Sequence, residues 1–175
     1  MLQAIRNIFS SAREFSFWGK PRVDARTLAA KASPHCASLV VVGLASEQDH
    51  RTLANVGTDY GWEIQHVTSW EEALAASDPH KTSVILCDRD LPGSDWREVV
   101  QTLASSSRPS CVILLSGVVD DSLWEAVIRC GGYDILAKPL QRDEVLRSVK
   151  LAQFFWDGMM KMPAYARKRP LASPS

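Results

Sequence analysis

Three short apolar runs in this 175-residue chain lead into side chains that could share one piece of chemistry. Asp88 follows Ser83–Cys87, Ser116 follows Cys111–Leu115, and Lys138 follows Asp134–Ala137. Each has an ordinary explanation when taken alone. Asp88 can stabilise the turn ahead of Pro92-Gly93, Ser116-Gly117 is common turn chemistry, and Lys138 can be a surface charge. As a set they suit a carboxylate that accepts a phosphoryl group. Asp88 would attack, while Ser116 and Lys138 would hydrogen-bond the transferred oxygens. That chemistry requires a fold in which the three run ends lie side by side.

Such runs recur from residue 38 onward: Leu39–Val42, Trp62–Val67, Ser83–Cys87, Cys111–Leu115 and Asp134–Ala137. Most are rich in Val, Ile and Leu, and three are nearly continuous, as expected of parallel strands buried on both faces. The spacing between them leaves room for one helix and two loops each time. Ser46 with Asp49, Ser69 with Glu72, Asp95 with Glu98, and Ser122 with Glu125 have capping-box spacing, which makes Asp49 the acid of the Ser46 box. Apolar residues at helical spacing follow, from Leu53, Val56 and Tyr60 to Val145, Val149, Ala152 and Trp156. Gly131-Gly132 closes the fourth helix. Five successive βα units predict an α/β fold, an open parallel sheet with helices on both faces. Its ligand crevice lies at the carboxyl ends of the strands: Gly43–Ser46, Asp88–Gly93, Ser116–Asp121 and Lys138-Pro139.

Asp88-x-x-Leu91-Pro92-Gly93, Leu115-Ser116-Gly117 and Gly131-Gly132-Tyr133-Asp134-Ile135-Leu136-Ala137-Lys138-Pro139, in this order, resemble the receiver domain of bacterial two-component response regulators. The resemblance covers about residues 38–156. It implies a flavodoxin-like, doubly wound five-stranded parallel sheet of order 2-1-3-4-5. It also implies Asp88 as phosphoacceptor, with Ser116 at the Thr/Ser switch position and Lys138 as the family's Lys, both contacting the phosphoryl group. Mg²⁺ would be held by Asp88 and by the backbone carbonyl of Asp90, whose side chain is expected to turn away from Lys138. Two departures stand out. Gly43 and Leu44 occupy the positions where receivers usually carry two adjacent acids for Mg²⁺, a hard ion that favours carboxylates. Acids placed there would be expected to point into the crevice, and Glu47, the nearest substitute, is expected to face solvent. Ile135 stands where many receivers carry an aromatic switch residue.

The reading that results is a stand-alone, non-enzymatic receiver-like module in phosphorelay signal transduction. A histidine kinase or phosphotransfer protein would phosphorylate Asp88, and the module would act on an output protein by contact. A phosphorylation-independent pseudo-receiver adaptor, binding through the face of its last two helices, is the alternative suggested by the missing acids. A small flavodoxin-like enzyme or nucleotide binder is the third. Gly43–Ser46 has one Gly where a dinucleotide loop has several, and His50, His66 and His80 fall away from the crevice.

Charge divides the chain further. Lys and Arg number 20 and so do Asp and Glu, yet residues 1–37 and 157–175 are basic while 38–156 are acidic. The expected organisation is therefore a basic N-terminal extension (1–37), a receiver-like domain (38–156) and a basic, Pro-containing tail (157–175). Leu2, Ile5, Ile8, Phe9, Ala12 and Phe15 have roughly helical spacing and suit docking on the chain's own domain or on a second copy, as in a homodimer. Arg167-Lys168-Arg169 lacks the aromatic platform or helix-turn-helix pattern of specific nucleic-acid readout. No apolar run approaches the roughly 20 residues of a membrane span, and Arg6 and Arg13 interrupt the N-terminal apolar pattern of a secretory signal. Four cysteines without metal-ligand spacing suit a reducing cytoplasm.

Overall fold

The computed structural model describes residues 38–76, 83–106 and 110–160, and only the backbone at Ser38, Ser83 and 156–160. The expectations for residues 1–37, for His80 and for the tail from 161 lie outside the described residues. Strands and helices alternate: β1 (Ser38–Val42), α1 (Glu47–Tyr60), β2 (Glu63–Val67), α2 (Trp70–Ala76), β3 (Ser83–Asp88), α3 (Trp96–Ser105), β4 (Ser110–Ser116), α4 (Asp121–Arg129), β5 (Asp134–Ala137) and α5 (Arg142–Met160). The strands form one parallel sheet in the order β2-β1-β3-β4-β5.

Side chains alternate faces along a strand, so a run apolar at every position must be covered on both sides. In β1, Leu39 and Val41 join Leu53, Val56, Val145 and Val149 in one buried cluster, the layer of α1 and α5. Val40 and Val42 join Val99, Val100, Leu103, Leu123 and Val127 in the other, the layer of α3 and α4. The same alternation runs through Val84, Leu86 and Ile85, Cys87 of β3.

Local chemistry sets the helix ends. The Ser46 hydroxyl caps α1 by accepting from Asp49 N, and the Asp95 carboxylate caps α3 by accepting from Arg97 N. Glu72 reaches back to the Thr68 N–H and hydroxyl while Ser69 accepts from Glu72 N, a reciprocal arrangement of the capping-box kind. For α4 the Ser122 expectation is corrected. The cap is Asp120, whose carboxylate accepts from Leu123 N at 2.7 Å and starts the helix before Ser122. At its other end Gly131 N donates to Ile128 O and Gly132 N to Val127 O, with Gly131 at φ +92°. This paired closure uses the left-handed conformation that glycine adopts without a Cβ penalty.

Candidate functional site

The register places the three singled-out residues at one end of the sheet. Asp88, the last residue of β3, pairs with Leu115, and Ser116, the last of β4, pairs with Ala137 just before Lys138. Backbone bonds from Arg89 N to Leu115 O and from Lys138 N to Ser116 O carry the ladder one step past the strands. Lys138 and Asp88 thus sit two strands apart, about 10 Å at the backbone, a gap that their side chains close. Lys138 Nζ donates to Asp88 Oδ1 at 2.8 Å and Oδ2 at 2.9 Å. Asp88 is 4% exposed, and its Oδ1 also accepts from Asp90 N at 3.0 Å.

Burial alone pulls the Lys138 ammonium pKa down. The hydrogen bonds and charge of Asp88, reinforced by Asp90, outweigh it, so the net shift is upward. Asp90 contributes because its side chain, though exposed, lies toward Lys138: Lys138 Nζ is 3.4 Å from Asp90 Oδ2. That corrects the expectation that Asp90 would not face Lys138. The turn after β3, in which Asp90 N donates to Asp88 Oδ1, brings both carboxylates to one ammonium.

Ser116 is buried at the same end but engaged differently. Its hydroxyl donates to Val118 O at 2.7 Å and accepts from Val118 N at 3.2 Å, closing its own loop. The alternation of faces explains this, since Asp88 shares its face with Leu115 and Ser116 is one residue further on. Arg89 links the two parts of the crevice by extending Nη1 to within 3.5 Å of Ser116 Oγ. Sequence reasoning passed over Arg89. The available signal was its place next to Asp88, at the carboxyl end of β3.

The β1 side differs from what the acid positions suggested. Leu44 is buried in the cluster of α1 and α5, not aimed at the crevice. Gly43 has φ +71°, and a Cβ there would come within 2.3 Å of Leu91 Cδ1. Acids at 43 and 44 would therefore meet Leu91 and the core. Glu47 faces solvent as expected, with Arg51 3.5 Å away. Asp49 is not principally the acid of the Ser46 capping box. Its carboxylate, 1% exposed, accepts from Leu140 N at 2.6 Å across the fold. The next residue, His50, donates from Nε2 to the Leu44 carbonyl at 2.8 Å.

These donors do not make a good Mg²⁺ site. Both Asp88 oxygens are held by Lys138, Asp49 is committed to Leu140, and the β1 corner is apolar. Among the described residues, no three or more His, Cys, Asp or Glu side chains gather as a metal site. Also among them, no helix is long and apolar enough to cross a membrane.

Known proteins place the chain. The family model for the response regulator receiver domain matches residues 47–150. The C4-dicarboxylate transport transcriptional regulatory protein DctD of Rhizobium meliloti is 26% identical over 93 residues, 53% of this chain but 20% of that protein. The chain thus spans about a fifth of that curated relative's length. Among solved structures, the signal receiver domain of an HD domain-containing protein from Pseudomonas fluorescens Pf-5 superposes with TM-score 0.63 at 18% identity, covering 76% of this chain and 97% of that one. The receiver domain of Ssk1 from Saccharomyces cerevisiae, solved with the histidine phosphotransfer protein Ypd1, gives 0.57 at 14% identity over 72% and 94%. At such identities these two likenesses establish the fold. The chain belongs to the response regulator receiver family, whose domains are signalling modules of phosphorelays and typically bind Mg²⁺ at the phosphorylation site.

Proposed function

We propose that Asp88 is the phosphoacceptor, charged by a histidine kinase or phosphotransfer protein, and that the phosphorylated domain signals by contact with an output protein. One observation carries this reading: a buried strand-end carboxylate holds a single ammonium across both of its oxygens. In the transfer, an Asp88 carboxylate oxygen forms a bond to phosphorus. The bond from phosphorus to the donor breaks, and its electron pair leaves with the donor. The acyl phosphate carries one more negative charge than the carboxylate did. Lys138 already stands where that charge appears, so little reorganisation is needed to stabilise it. Ser116 lies at the adjacent strand end and can exchange its bond to Val118 O for one to a phosphoryl oxygen, moving the loop that leads to α4. The Ssk1–Ypd1 complex supports a phosphotransfer protein as one partner class. In this reading the working unit is 38–156, acting in the cytoplasm between basic flanks.

The test is incubation with acetyl phosphate followed by peptide mass spectrometry. A PO₃ adduct on the peptide bearing Asp88, lost in Asp88→Asn, is expected. An adduct that survives Asp88→Asn and disappears with Asp90→Asn refutes the assignment. Lys138→Ala should impair transfer far more than an exposed lysine would.

A further inference from the structure

Three features of the crevice point the same way. First, the corner beside β1 is closed to a hydrated cation by carbon: Leu91 fills the space next to Gly43, and Leu44 is part of the core. Second, the nearby carboxylates have other partners: Asp49 takes the Leu140 N–H, and Glu47 lies beside Arg51 on the surface. Third, two basic side chains stand at the crevice, Lys138 on Asp88 and Arg89 on Ser116.

We propose that this domain takes up its phosphoryl group without a divalent cation, and that Arg89 and Lys138 supply the positive charge. The proposal rests on the reading of Asp88 as acceptor. A transferred phosphoryl group presents three oxygens. The Lys138 ammonium is a point charge already within hydrogen-bond distance of the attacking carboxylate, and can follow the charge from carboxylate to phosphoryl oxygen. The Arg89 guanidinium is a planar fork of donors matched to phosphate oxygens. Its 3.5 Å approach to Ser116 Oγ is long for a hydrogen bond between these groups, so moving onto an anion gives up little. Together they can neutralise the charge of the acyl phosphate, which elsewhere is work for a metal. Asp90 sets the balance in the resting domain, since its carboxylate shares Lys138 with Asp88.

The experiment measures phosphorylation of the full chain by acetyl phosphate, in excess EDTA and in millimolar Mg²⁺, by intact mass over time. A Mn²⁺ titration followed by electron paramagnetic resonance runs alongside. Rates within about twofold in the two media are expected, with no saturable Asp88-dependent Mn²⁺ binding. Arg89→Ala should slow labelling by about tenfold or more in EDTA, in line with loss of one donor to developing charge, and Arg89→Lys should recover part of it. Labelling that requires Mg²⁺, or Mn²⁺ binding lost in Asp88→Asn, overturns the proposal while leaving Asp88 as acceptor. Metal-independent labelling unchanged in Arg89→Ala overturns the role given to Arg89. No labelling of Asp88 in either medium overturns the acceptor reading and the proposal together.

Discussion

Asp49→Ala should damage the domain through a contact on the far side of its helix cap. Asp49 Oδ1 receives the Leu140 N–H at 2.6 Å, and the two groups are 91 residues apart in sequence. Both residues are buried, Asp49 at 1% exposed and Leu140 at 3%. Truncation leaves the Leu140 N–H without its acceptor in a place water does not reach, which costs about 1–3 kcal/mol. A value near 2 kcal/mol lowers the melting midpoint by roughly 5–10 °C for a domain of this size. Asp49→Asn keeps an acceptor oxygen and should cost less, about 1 kcal/mol. The specific readout is amide exchange at Leu140, slow in the native chain and faster in Asp49→Ala by more than the change in global stability explains. If the capping box with Ser46 were the carboxylate's main role, the loss would couple to Ser46→Ala in a double-mutant cycle and leave Leu140 exchange unchanged. Either result, or a stability change under about 0.5 kcal/mol, refutes the cross-fold role.

Placing acids at the β1 end should destabilise the domain and fail to build a metal site. Gly43→Asp forces a side chain onto φ +71° and into Leu91, and Leu44→Asp puts a carboxylate into the core; together they should cost at least about 3 kcal/mol by urea unfolding. Cys87 should resist iodoacetamide in the folded chain at mildly alkaline pH, because burial, and to a lesser degree the Asp88 charge, push its thiol up to about 12; peptide mapping of the labelled protein reads this directly. His66 should titrate below 6.5 by NMR, burial being the larger cause and the neighbouring His50 the smaller. The unfolded chain then binds more protons in that window, so stability on this account is full above pH 6.5 and falls as pH drops toward the folded pKa. His50→Gln should return the His66 value only part of the way.

Much of the scaffold is legible from period and spacing. Each of the five expected strands lies within one residue of its observed bounds, because sheet burial on both faces writes itself into a continuous apolar run. The pairing of Asp88 with Lys138 is legible for the same reason, since strand ends in a parallel sheet converge whatever the loops do. What stayed hidden is tertiary. Asp49 has a local pattern that explains it fully, so nothing in the sequence asks for Leu140. Asp120 and Ser122 both suit a cap, and only the bond to Leu123 N separates them. Arg89 reads as a loop charge and Asp90 as a backbone carbonyl with its side chain turned away from Lys138, and the side-chain contacts of both depend on a turn tight enough to aim them at neighbours across the crevice.

The first turn of α1 gives this crevice its rigidity on the side where the acids are absent. Two consecutive side chains leave that turn in different directions. His50 holds the Leu44 carbonyl in the β1 loop, and Asp49 holds Leu140 N–H in the turn that follows Lys138. A helix anchored by Leu53 and Val56 in the core thereby holds two loops beyond their last ladder bonds, which are made by Gly43 N and Lys138 N. The geometry of Lys138 follows from this. Its backbone is tied to Ser116 O on the β4 side, and the chain two residues later is tied to Asp49. With the main chain held at both ends, the ammonium has a short, defined reach, and the buried carboxylate within it is Asp88. A metal-bridged site can locate its carboxylates through the ion they share. Here the same localisation comes from backbone tethers, and for that reason a carboxylate in the first turn of α1 matters to chemistry at the end of β3.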